Sequence, residues 1–302
     1  MTALAAAPAG ARLWLLAVRP GTLSLSVVPV LAATALAWAE AGRIDGLAAL
    51  VAMLSALLIQ AGTNLHNDAA DCLRGNDGAE RLGPLRVTAQ GWASPARVVH
   101  ASKIAFGLAA ALGVWLAWVG GWPILALGAA SIIAGWAYSG GPNPIAHTPL
   151  GEVFVVAFFG LGATCGTTWL HLGALTPASA VLGLALGLQA AAVLAVNNIR
   201  DVETDRRAGR RTLAVLLGRP GADRLFAALV LAPLGLLAVL ATLIPNGWRL
   251  GLAALVLPEA LRLIRTLSRL PPGPHHNILL KQTARMEVAF AVLIVAGLVF
   301  LK

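Results

Sequence analysis

The chain has 302 residues, of which 58% are hydrophobic and only 12% are charged, and its mean hydropathy is +0.80. Soluble domains carry roughly a quarter charged residues, so this composition excludes an ordinary soluble domain and indicates that most of the chain lies in a lipid bilayer. The net charge of +9 comes without a long basic patch interleaved with aromatic residues, which argues against nucleic-acid binding.

Apolar runs that are long enough, or nearly long enough, to cross a bilayer follow one another along the chain. They predict an all-α fold, a multi-pass membrane bundle of about nine transmembrane helices that forms one domain over residues 1–302. The eighth run is the weakest, because it is short and contains Pro258 and Glu259. The predicted spans are Leu23–Ala39, Leu47–Thr63, Ile104–Gly120, Pro123–Tyr138, Val153–Leu170, Ala178–Val196, Leu225–Leu243, Leu250–Ile264 and Met286–Leu301.

The distribution of positive charge predicts how the bundle is oriented. With the N-terminus in the cytoplasm, 19 of the 22 Lys and Arg residues fall on cytoplasmic segments, and only Arg43, Arg249 and Lys302 fall outside. Lys and Arg concentrate on the cytoplasmic side of membrane proteins. We therefore predict a protein of the cell (inner) membrane with a cytoplasmic N-terminus and an external C-terminus, which requires an odd number of spans.

The first long cytoplasmic segment begins with the polar sequence NLHNDAADCLRGNDGAERLGPLR. If the second predicted helix continues into this segment, Asn64, Asp68 and Asp71 fall at positions i, i+4 and i+7, with Asn67 on the same face. Asp77 follows after a turn that contains glycine. These polar side chains are predicted to meet at the cytoplasmic mouth of the bundle.

The second long cytoplasmic segment contains NNIRDVETDRRAGRRTLAV, in which Asn197, Asp201 and Asp205 are spaced i, i+4 and i+8 on one helical face. Both segments therefore contain Asn-x3-Asp, as Asn67/Asp71 and Asn197/Asp201. A lone acidic pair at a helix end is most often a cap or a solvated face. Two such clusters at equivalent helix ends favour a shared function.

Carboxylate and amide oxygens close to many arginines predict a site for Mg²⁺ and a diphosphate. Mg²⁺ binds hard oxygen ligands, usually one or two carboxylates together with substrate phosphates and waters. Arginine guanidinium groups bind phosphate oxygens, although for any single arginine a role in topology explains the charge equally well. An apolar bundle behind this site suits a lipid chain, so the predicted substrate is a polyprenyl diphosphate in a lipid bilayer.

Two other residues lie at the cytoplasmic side of the predicted bundle. Tyr138, the only tyrosine, ends the fourth predicted helix and is typical of an interfacial aromatic anchor. Glu152 lies near the start of the fifth predicted helix, where it is either a helix-start carboxylate or a substrate contact.

These features together resemble the UbiA superfamily of membrane prenyltransferases. The superfamily has an Asn-Asp-x2-Asp loop and a later Asp-x3-Asp loop, matched here by Asn67-Asp68-x2-Asp71 and Asp201-x3-Asp205. Within it, the chain is most similar to the branch that prenylates 1,4-dihydroxy-2-naphthoate in menaquinone biosynthesis. The similar stretches, in matching order, are RPGTLSLSVVPVLAATALA, NLHNDAADCLRGND, RLGPLRVTAQG, YSGGPNPIAHTPLGEVFVVAFFG and NNIRDVETDRRAGRRTLAVLLG.

The chain departs from the family pattern at several positions. Ala69 stands where an aromatic residue often follows the Asn-Asp pair, and Arg210 replaces the Lys of the common GKRT sequence. His147 and Thr148 replace a Tyr-Arg pair, just before PLGE in place of GLGE. The last changes lie near the region expected to bind the aromatic acceptor.

The resemblance implies a nine-helix bundle and a reaction in which Mg²⁺ assists departure of the diphosphate, after which the allylic cation attacks 1,4-dihydroxy-2-naphthoate. The ring loses its carboxylate and demethylmenaquinone forms. The implied metal ligands are Asp68, Asp71, Asp201 and Asp205, with Asp77 as a further candidate. The other residues implied to position the metal or the diphosphate are Asn67, Asn197, Arg74, Arg81, Arg206 or Arg210, and Tyr138.

Arg19, at the start of the first predicted helix, is the candidate partner of the acceptor's carboxylate, and a role in topology is equally consistent with it. Two alternative functions remain open. One is prenylation of another aromatic acceptor, such as 4-hydroxybenzoate, and the more distant one is membrane transport.

Overall fold

Every regular element in the described residues is helical, which confirms the predicted all-α fold. The computed structural model describes Pro8, residues 10–75 and residues 82–300. Its α-helices are α1 (Ala11–Val18), α2 (Pro20–Ala41), α3 (Gly46–Leu73), α4 (Pro95–Gly120), α5 (Trp122–Ala137), α6 (Gly151–Val155), α7 (Ala163–Leu172), α8 (Pro177–Arg200), α9 (Val202–Arg207), α10 (Leu213–Leu243), α11 (Leu257–Arg269) and α12 (His276–Val299).

Shorter segments of other helical geometry connect some of these helices. Ile145–His147 and Gly247–Val256 are 3₁₀ helices, and Val156–Gly162 is a π-helical segment. The π-helical segment joins α6 to α7, so Gly151–Leu172 runs as one continuous span. Because π-helical turns are rare and are often found at functional sites, we expect this span to contact substrate.

Among the described residues, seven helical segments are long and apolar enough to cross a membrane: α2, α3, α4, Gly151–Leu172, α8, α10 and α12. The chain is therefore a multi-pass membrane protein. The predicted fourth span corresponds to α5, which is apolar but has only 16 residues. The predicted count of nine spans stays a prediction.

The predicted eighth span is divided between the 3₁₀ helix Gly247–Val256 and α11. α11 buries Ala260, Leu263 and Leu267 on one face. On its exposed face Arg262 Nη2 lies 2.5 Å from Glu259 Oε1, which is the pairing expected for residues one turn apart. An amphipathic helix of this kind suits the surface of a bilayer better than its interior.

α8 lies at the centre of the bundle, with 72% of its most apolar stretch buried. It packs against the π-helical segment without side chains between the two backbones. A Cβ added to Gly160 would lie 2.4 Å from the carbonyl oxygen of Gly183 and 2.5 Å from Cα of Gly187. This contact holds α8, and the polar residues at its C-terminal end, close to the Gly151–Leu172 span.

Candidate active site

A cavity of about 360 Å³ opens between the polar ends of α3, α5 and α8. Its lining runs along α3 from Asp71 inwards to Ala56, which corresponds to about 22 Å of helix. The inner walls are mainly apolar. They include Leu25, Ala56, Ile59, Leu127, Ala134, Phe158, Phe159, Ala163, Ala190 and Val193.

The mouth of the cavity contains the first acidic cluster, in which Asn67 and Asp71 share one arginine. Arg86 Nη1 lies 2.6 Å from Asp71 Oδ2, and Arg86 Nη2 donates a hydrogen bond to Asn67 Oδ1 at 2.8 Å. Asn67 Nδ2 donates to Ser139 Oγ at 2.8 Å, which ties the end of α3 to the segment after α5. From the sequence, Arg86 counts only as one of the cytoplasmic positive charges.

Asp68 is not among the residues that line the cavity, and its role as a metal ligand stays a prediction. Its buried carboxylate accepts hydrogen bonds from the backbone N–H groups of Val87 at 3.1 Å and Thr88 at 3.3 Å, and also from the Thr88 hydroxyl. Adjacent residues on an α-helix point about 100° apart, so Asn67 and Asp68 face different surroundings. Asp68 instead fixes the segment that carries Arg86 into the site.

The second acidic cluster is organised by Arg200, which is almost fully buried. Arg200 forms a bidentate pair with Asp201, through Nε at 2.8 Å and Nη2 at 2.6 Å. Nη2 also donates to Asn197 Oδ1 at 2.8 Å, and Nη1 donates to Asn277 Oδ1 at 2.7 Å. Like Arg86, Arg200 is not distinguished by the sequence from the other cytoplasmic arginines.

Arg210 joins the two clusters. Its Nη2 lies 3.0 Å from Asp71 Oδ1, and its Nη1 lies 3.2 Å from Asp205 Oδ1. Burial raises the pKa of the Asp205 carboxyl to about 6, although the charge of Arg210 acts in the opposite direction. Between Arg206 and Arg210, the two arginines that the sequence leaves open, only Arg210 lines the cavity.

Several other predicted residues do not line the cavity. Arg206 pairs with Glu203 on the exposed face of α9, with Nη1 3.1 Å from Oε1. Arg74 donates to the backbone carbonyl oxygens of Ser139 at 2.6 Å and Gly141 at 3.1 Å, so it supports the loop after α5. The remaining two candidates, Asp77 and Arg81, lie outside the described residues.

Tyr138 and Arg19 both line the cavity near its mouth. Burial raises the pKa of the Tyr138 hydroxyl, and the charge of Glu152 adds to the shift, so the hydroxyl stays protonated and is able to donate. Arg19 connects α1 to α2 in a left-handed conformation with φ 55°, which is strained for a residue other than glycine. Its Nη2 donates to Asn67 Oδ1 at 3.2 Å.

Glu152 is buried, and its Oε1 accepts a hydrogen bond from Asn198 Nδ2 at 2.9 Å. Asn198 lines the cavity, although Glu152 itself does not. Asn198 is not predicted as a site residue from the sequence, because the neighbouring Asn197 already completes the Asn-x3-Asp spacing. The doubled asparagine at the end of α8 was the available signal.

The donor atoms at the mouth fit Mg²⁺, since they are the carboxylate oxygens of Asp71, Asp201 and Asp205 and the amide oxygens of Asn67 and Asn197. In the part of the chain that the structure describes, no three His, Cys, Asp or Glu side chains are grouped closely enough to hold a metal alone. This arrangement fits an ion that is shared between a few protein oxygens and a bound phosphate.

Comparison with known proteins gives a consistent result. The model of the UbiA prenyltransferase family matches residues 26–275. The chain is 34% identical over 295 residues to 1,4-dihydroxy-2-naphthoate octaprenyltransferase of Escherichia coli (strain K12), covering 94% of both proteins. It is 31% identical over 290 residues to the Bacillus subtilis (strain 168) protein of the same name, covering 96% of this chain and 92% of the relative.

Solved structures agree on the fold. The structure of a UbiA homolog from Archaeoglobus fulgidus bound to DMAPP and Mg2+ superimposes with a TM-score of 0.68 at 17% sequence identity, covering 94% of this chain and 98% of that chain. At this level of identity the likeness concerns the helical architecture.

Proposed function

This chain belongs to the UbiA prenyltransferase family, and from that premise we propose that it transfers a polyprenyl group from a polyprenyl diphosphate to 1,4-dihydroxy-2-naphthoate. The ring loses its carboxylate in the reaction, and the product is demethylmenaquinol, the hydroquinone form of demethylmenaquinone. The structural observation that best supports this proposal is a cavity that is apolar inside and ends between two acidic clusters bridged by Arg210.

The polar mouth would bind the diphosphate. Arg86, Arg200 and Arg210 lie there, and each pairs with an aspartate. When the diphosphate binds, these guanidinium groups are in place to donate to its oxygens. Tyr138 would add a neutral O–H donor at the same end of the cavity.

We propose that Asp71, Asp201 and Asp205 hold Mg²⁺ together with the amide oxygens of Asn67 and Asn197. Bound there, Mg²⁺ supplies positive charge that stabilises the departing diphosphate. Asp68 is not included, because it does not line the cavity and its carboxylate binds the Val87 and Thr88 backbone N–H groups and the Thr88 hydroxyl.

The apolar part of the cavity would hold the start of the polyprenyl chain and exclude water from the allylic cation. The rings of Phe154 and Phe158 line it with their centroids 5.7 Å apart. Aromatic faces attract cations, so these rings would stabilise positive charge that develops on the allylic carbon after the C–O bond breaks.

The acceptor ring then forms the new C–C bond at the carbon that bears its carboxylate. The carboxylate leaves as carbon dioxide, and the electrons of the broken C–C bond restore the aromatic ring. Arg19 is the proposed partner of this carboxylate before it leaves, since its guanidinium group reaches Asn67 at the cavity mouth.

We further propose that the mouth faces the cytoplasm and that the protein resides in the inner membrane. The support is the concentration of Arg and Lys on the segments that carry the site.

The function is tested with purified protein in lipid nanodiscs, one polyprenyl diphosphate and Mg²⁺. 1,4-Dihydroxy-2-naphthoate and 4-hydroxybenzoate compete at equal concentration, and the products are identified by mass spectrometry. We expect a prenylated naphthohydroquinone that lacks the carboxylate, which is detected as such or as the naphthoquinone that forms when air oxidises it. A higher kcat/KM for 4-hydroxybenzoate would assign the chain to the alternative acceptor, because this ratio measures discrimination between substrates.

A further inference from the structure

A buried carboxylate–amide pair lies beside the cavity and has no part in binding the diphosphate. Glu152 is 4% exposed, and its Oε1 accepts from Asn198 Nδ2 at 2.9 Å. Its Oε2 is buried and has no hydrogen-bond partner among the described residues. No Lys or Arg of the described segments forms an ion pair with Glu152, in contrast to Asp71, Asp201 and Asp205.

The chemistry of the pair determines which way the Asn198 amide faces. Asn198 Nδ2 donates to Glu152 Oε1, and an amide has an NH₂ group that donates and an oxygen that accepts. Glu152 therefore holds the NH₂ group of Asn198 and turns Oδ1 the other way. Asn198 lines the cavity, and Oδ1 makes no hydrogen bond within the described residues. The pair thus presents one fixed acceptor atom to the cavity.

Only a substrate group that donates a hydrogen bond can pair with this acceptor atom. A diphosphate carries only acceptors when ionised, and its arginine donors lie around the preceding residue, Asn197, and across the mouth. A polyprenyl chain has no polar hydrogen to donate. The aromatic acceptor is the substrate with O–H groups, and a fixed carbonyl oxygen matches such a donor.

We infer that Asn198 accepts a hydrogen bond from a ring hydroxyl of the aromatic acceptor, and that Glu152 is the positioning residue that holds the Asn198 amide in this orientation. The inference rests on the proposed function. It orients the acceptor with a hydroxyl towards Asn198 and its carboxylate away from Glu152, towards the arginine side of the mouth. The hydrogen bond also increases electron density on the hydroxyl oxygen, which favours attack by the ring.

The inference predicts discrimination by hydroxyl content. A site built to pair a substrate hydroxyl rejects an analogue that lacks it, because the buried acceptor is then left unpaired. The experiment measures kcat/KM for 1,4-dihydroxy-2-naphthoate against 1-hydroxy-2-naphthoate and 4-hydroxy-2-naphthoate, and measures each as an inhibitor where it is not turned over. In Asn198→Ala, the preference for the dihydroxy compound over one of the analogues should fall by at least about tenfold. KM for the polyprenyl diphosphate should stay within about twofold, since no diphosphate contact is removed.

An exchange of the two groups distinguishes positioning from simple packing. Asn198→Asp places two carboxylates together and should abolish the preference. In the double variant Asn198→Asp with Glu152→Gln, the amide introduced at position 152 donates to the new carboxylate, whose second oxygen again faces the cavity. This variant should regain most of the preference. Ser102→Ala is the matched control, because it removes a buried hydrogen bond to the Gly62 carbonyl, 2.7 Å long, outside the cavity lining.

The outcomes separate the two claims. Wild-type protein that prenylates 4-hydroxybenzoate but not the naphthoate would overturn the proposed function and this inference with it. Normal turnover of the naphthoate with an unchanged preference in Asn198→Ala would overturn the inference alone. If Asn198→Ala does not fold, Glu152→Gln decides, since glutamine accepts either orientation of the Asn198 amide: a reduced preference supports the inference and an unchanged one overturns it.

Discussion

Arg210 Nη2 lies 3.0 Å from Asp71 Oδ1, although 139 residues separate the two along the chain. The same guanidinium group also reaches Asp205. One arginine therefore sets the distance between the two acidic clusters, and a diphosphate that binds between them meets this group directly.

Replacing Arg210 by alanine should lower kcat/KM for the polyprenyl diphosphate by about a hundredfold, because a preorganised donor to the leaving group is lost. Arg210→Lys keeps the charge but not the fork that spans two carboxylates, so an intermediate loss is expected. Arg206→Ala removes only an exposed pair with Glu203 and should change activity by less than about twofold. Equal losses in Arg206→Ala and Arg210→Ala would contradict this assignment. Steady-state kinetics in nanodiscs make the comparison.

Asp71→Asn and Asp68→Asn should separate metal binding from structure. Asp71→Asn should lower kcat by orders of magnitude and raise the Mg²⁺ concentration that gives half-maximal activity. In Asp68→Asn the side chain keeps one acceptor oxygen, and its NH₂ group replaces the other where hydrogen-bond donors approach. The lost hydrogen bonds cost about 1–3 kcal/mol of stability. We therefore expect a lower Tm for Asp68→Asn, with an unchanged Mg²⁺ requirement. A higher Mg²⁺ requirement in Asp68→Asn would restore this residue as a ligand.

Removal of divalent metal should abolish turnover. EDTA should stop product formation, and an excess of Mg²⁺ should restore it, since the mouth carries hard oxygen donors and no thiolate among those lining it. Activity is followed by mass spectrometry of the prenylated product. Full turnover in EDTA would argue against a metal at this site.

The orientation of the membrane protein is tested at Cys72, which lies near the end of α3 and is partly exposed. A membrane-impermeant thiol reagent should label it only after the membrane is opened, because the distribution of positive charge predicts that this end lies in the cytoplasm. Cys72→Ser is the control, since Cys165 also has a free thiol. Labelling in intact cells that disappears in Cys72→Ser would contradict the predicted topology.

Gly160→Ala should be strongly destabilising, whereas Gly235→Ala should not. The added Cβ at Gly160 meets backbone atoms of α8, while at Gly235 in α10 nothing lies within 4 Å of it. Alanine is favoured over glycine within a helix by roughly 1 kcal/mol, so Gly235→Ala should be neutral or stabilising. Thermal unfolding in detergent measures both variants. A Tm for Gly160→Ala equal to that of wild type would contradict the prediction, because it would mean that α8 and the π-helical segment separate to make room for the methyl group without loss of stability.

The sequence predicts the parts of this molecule that depend on local pattern. Apolar length identifies the membrane helices. The repeated Asn-x3-Asp spacing identifies Asp71 and Asp201 as neighbours of one cavity, and the Asp201-x3-Asp205 spacing adds Asp205. Helical spacing alone does not predict that Asn67 lines the cavity and Asp68 does not, because both fall on a broad polar surface of the helix. The difference arises from Val87 and Thr88, which reach α3 only when the following loop has folded back.

Other site residues are also not predictable from the sequence, because their partners lie far away along the chain. Arg86 and Arg200 are essential to the geometry of the mouth, yet in sequence they look like any other cytoplasmic arginine. The pairing of Glu152 with Asn198 joins two spans and has no local signature. α11 is amphipathic, but the apolar residues of the 3₁₀ helix Gly247–Val256 precede it directly, so the two elements together resemble one short span in the sequence.

The glycine contact between the π-helical segment and α8 has a consequence for how relatives of this enzyme diversify. Gly160, Gly183 and Gly187 leave no side chain between these two helices, so the two backbones cannot be brought closer or moved apart by a change of side-chain size at their contact. On this side of the cavity only the side chains that face inwards, such as Phe158 and Val193, can change its width. The opposite wall consists of side chains from α3 and α5, among them Ala56, Ile59 and Leu127. Adaptation to longer or shorter isoprenoids is therefore expected to change side chains that line the cavity, on either wall, while the three glycines between the helices change little.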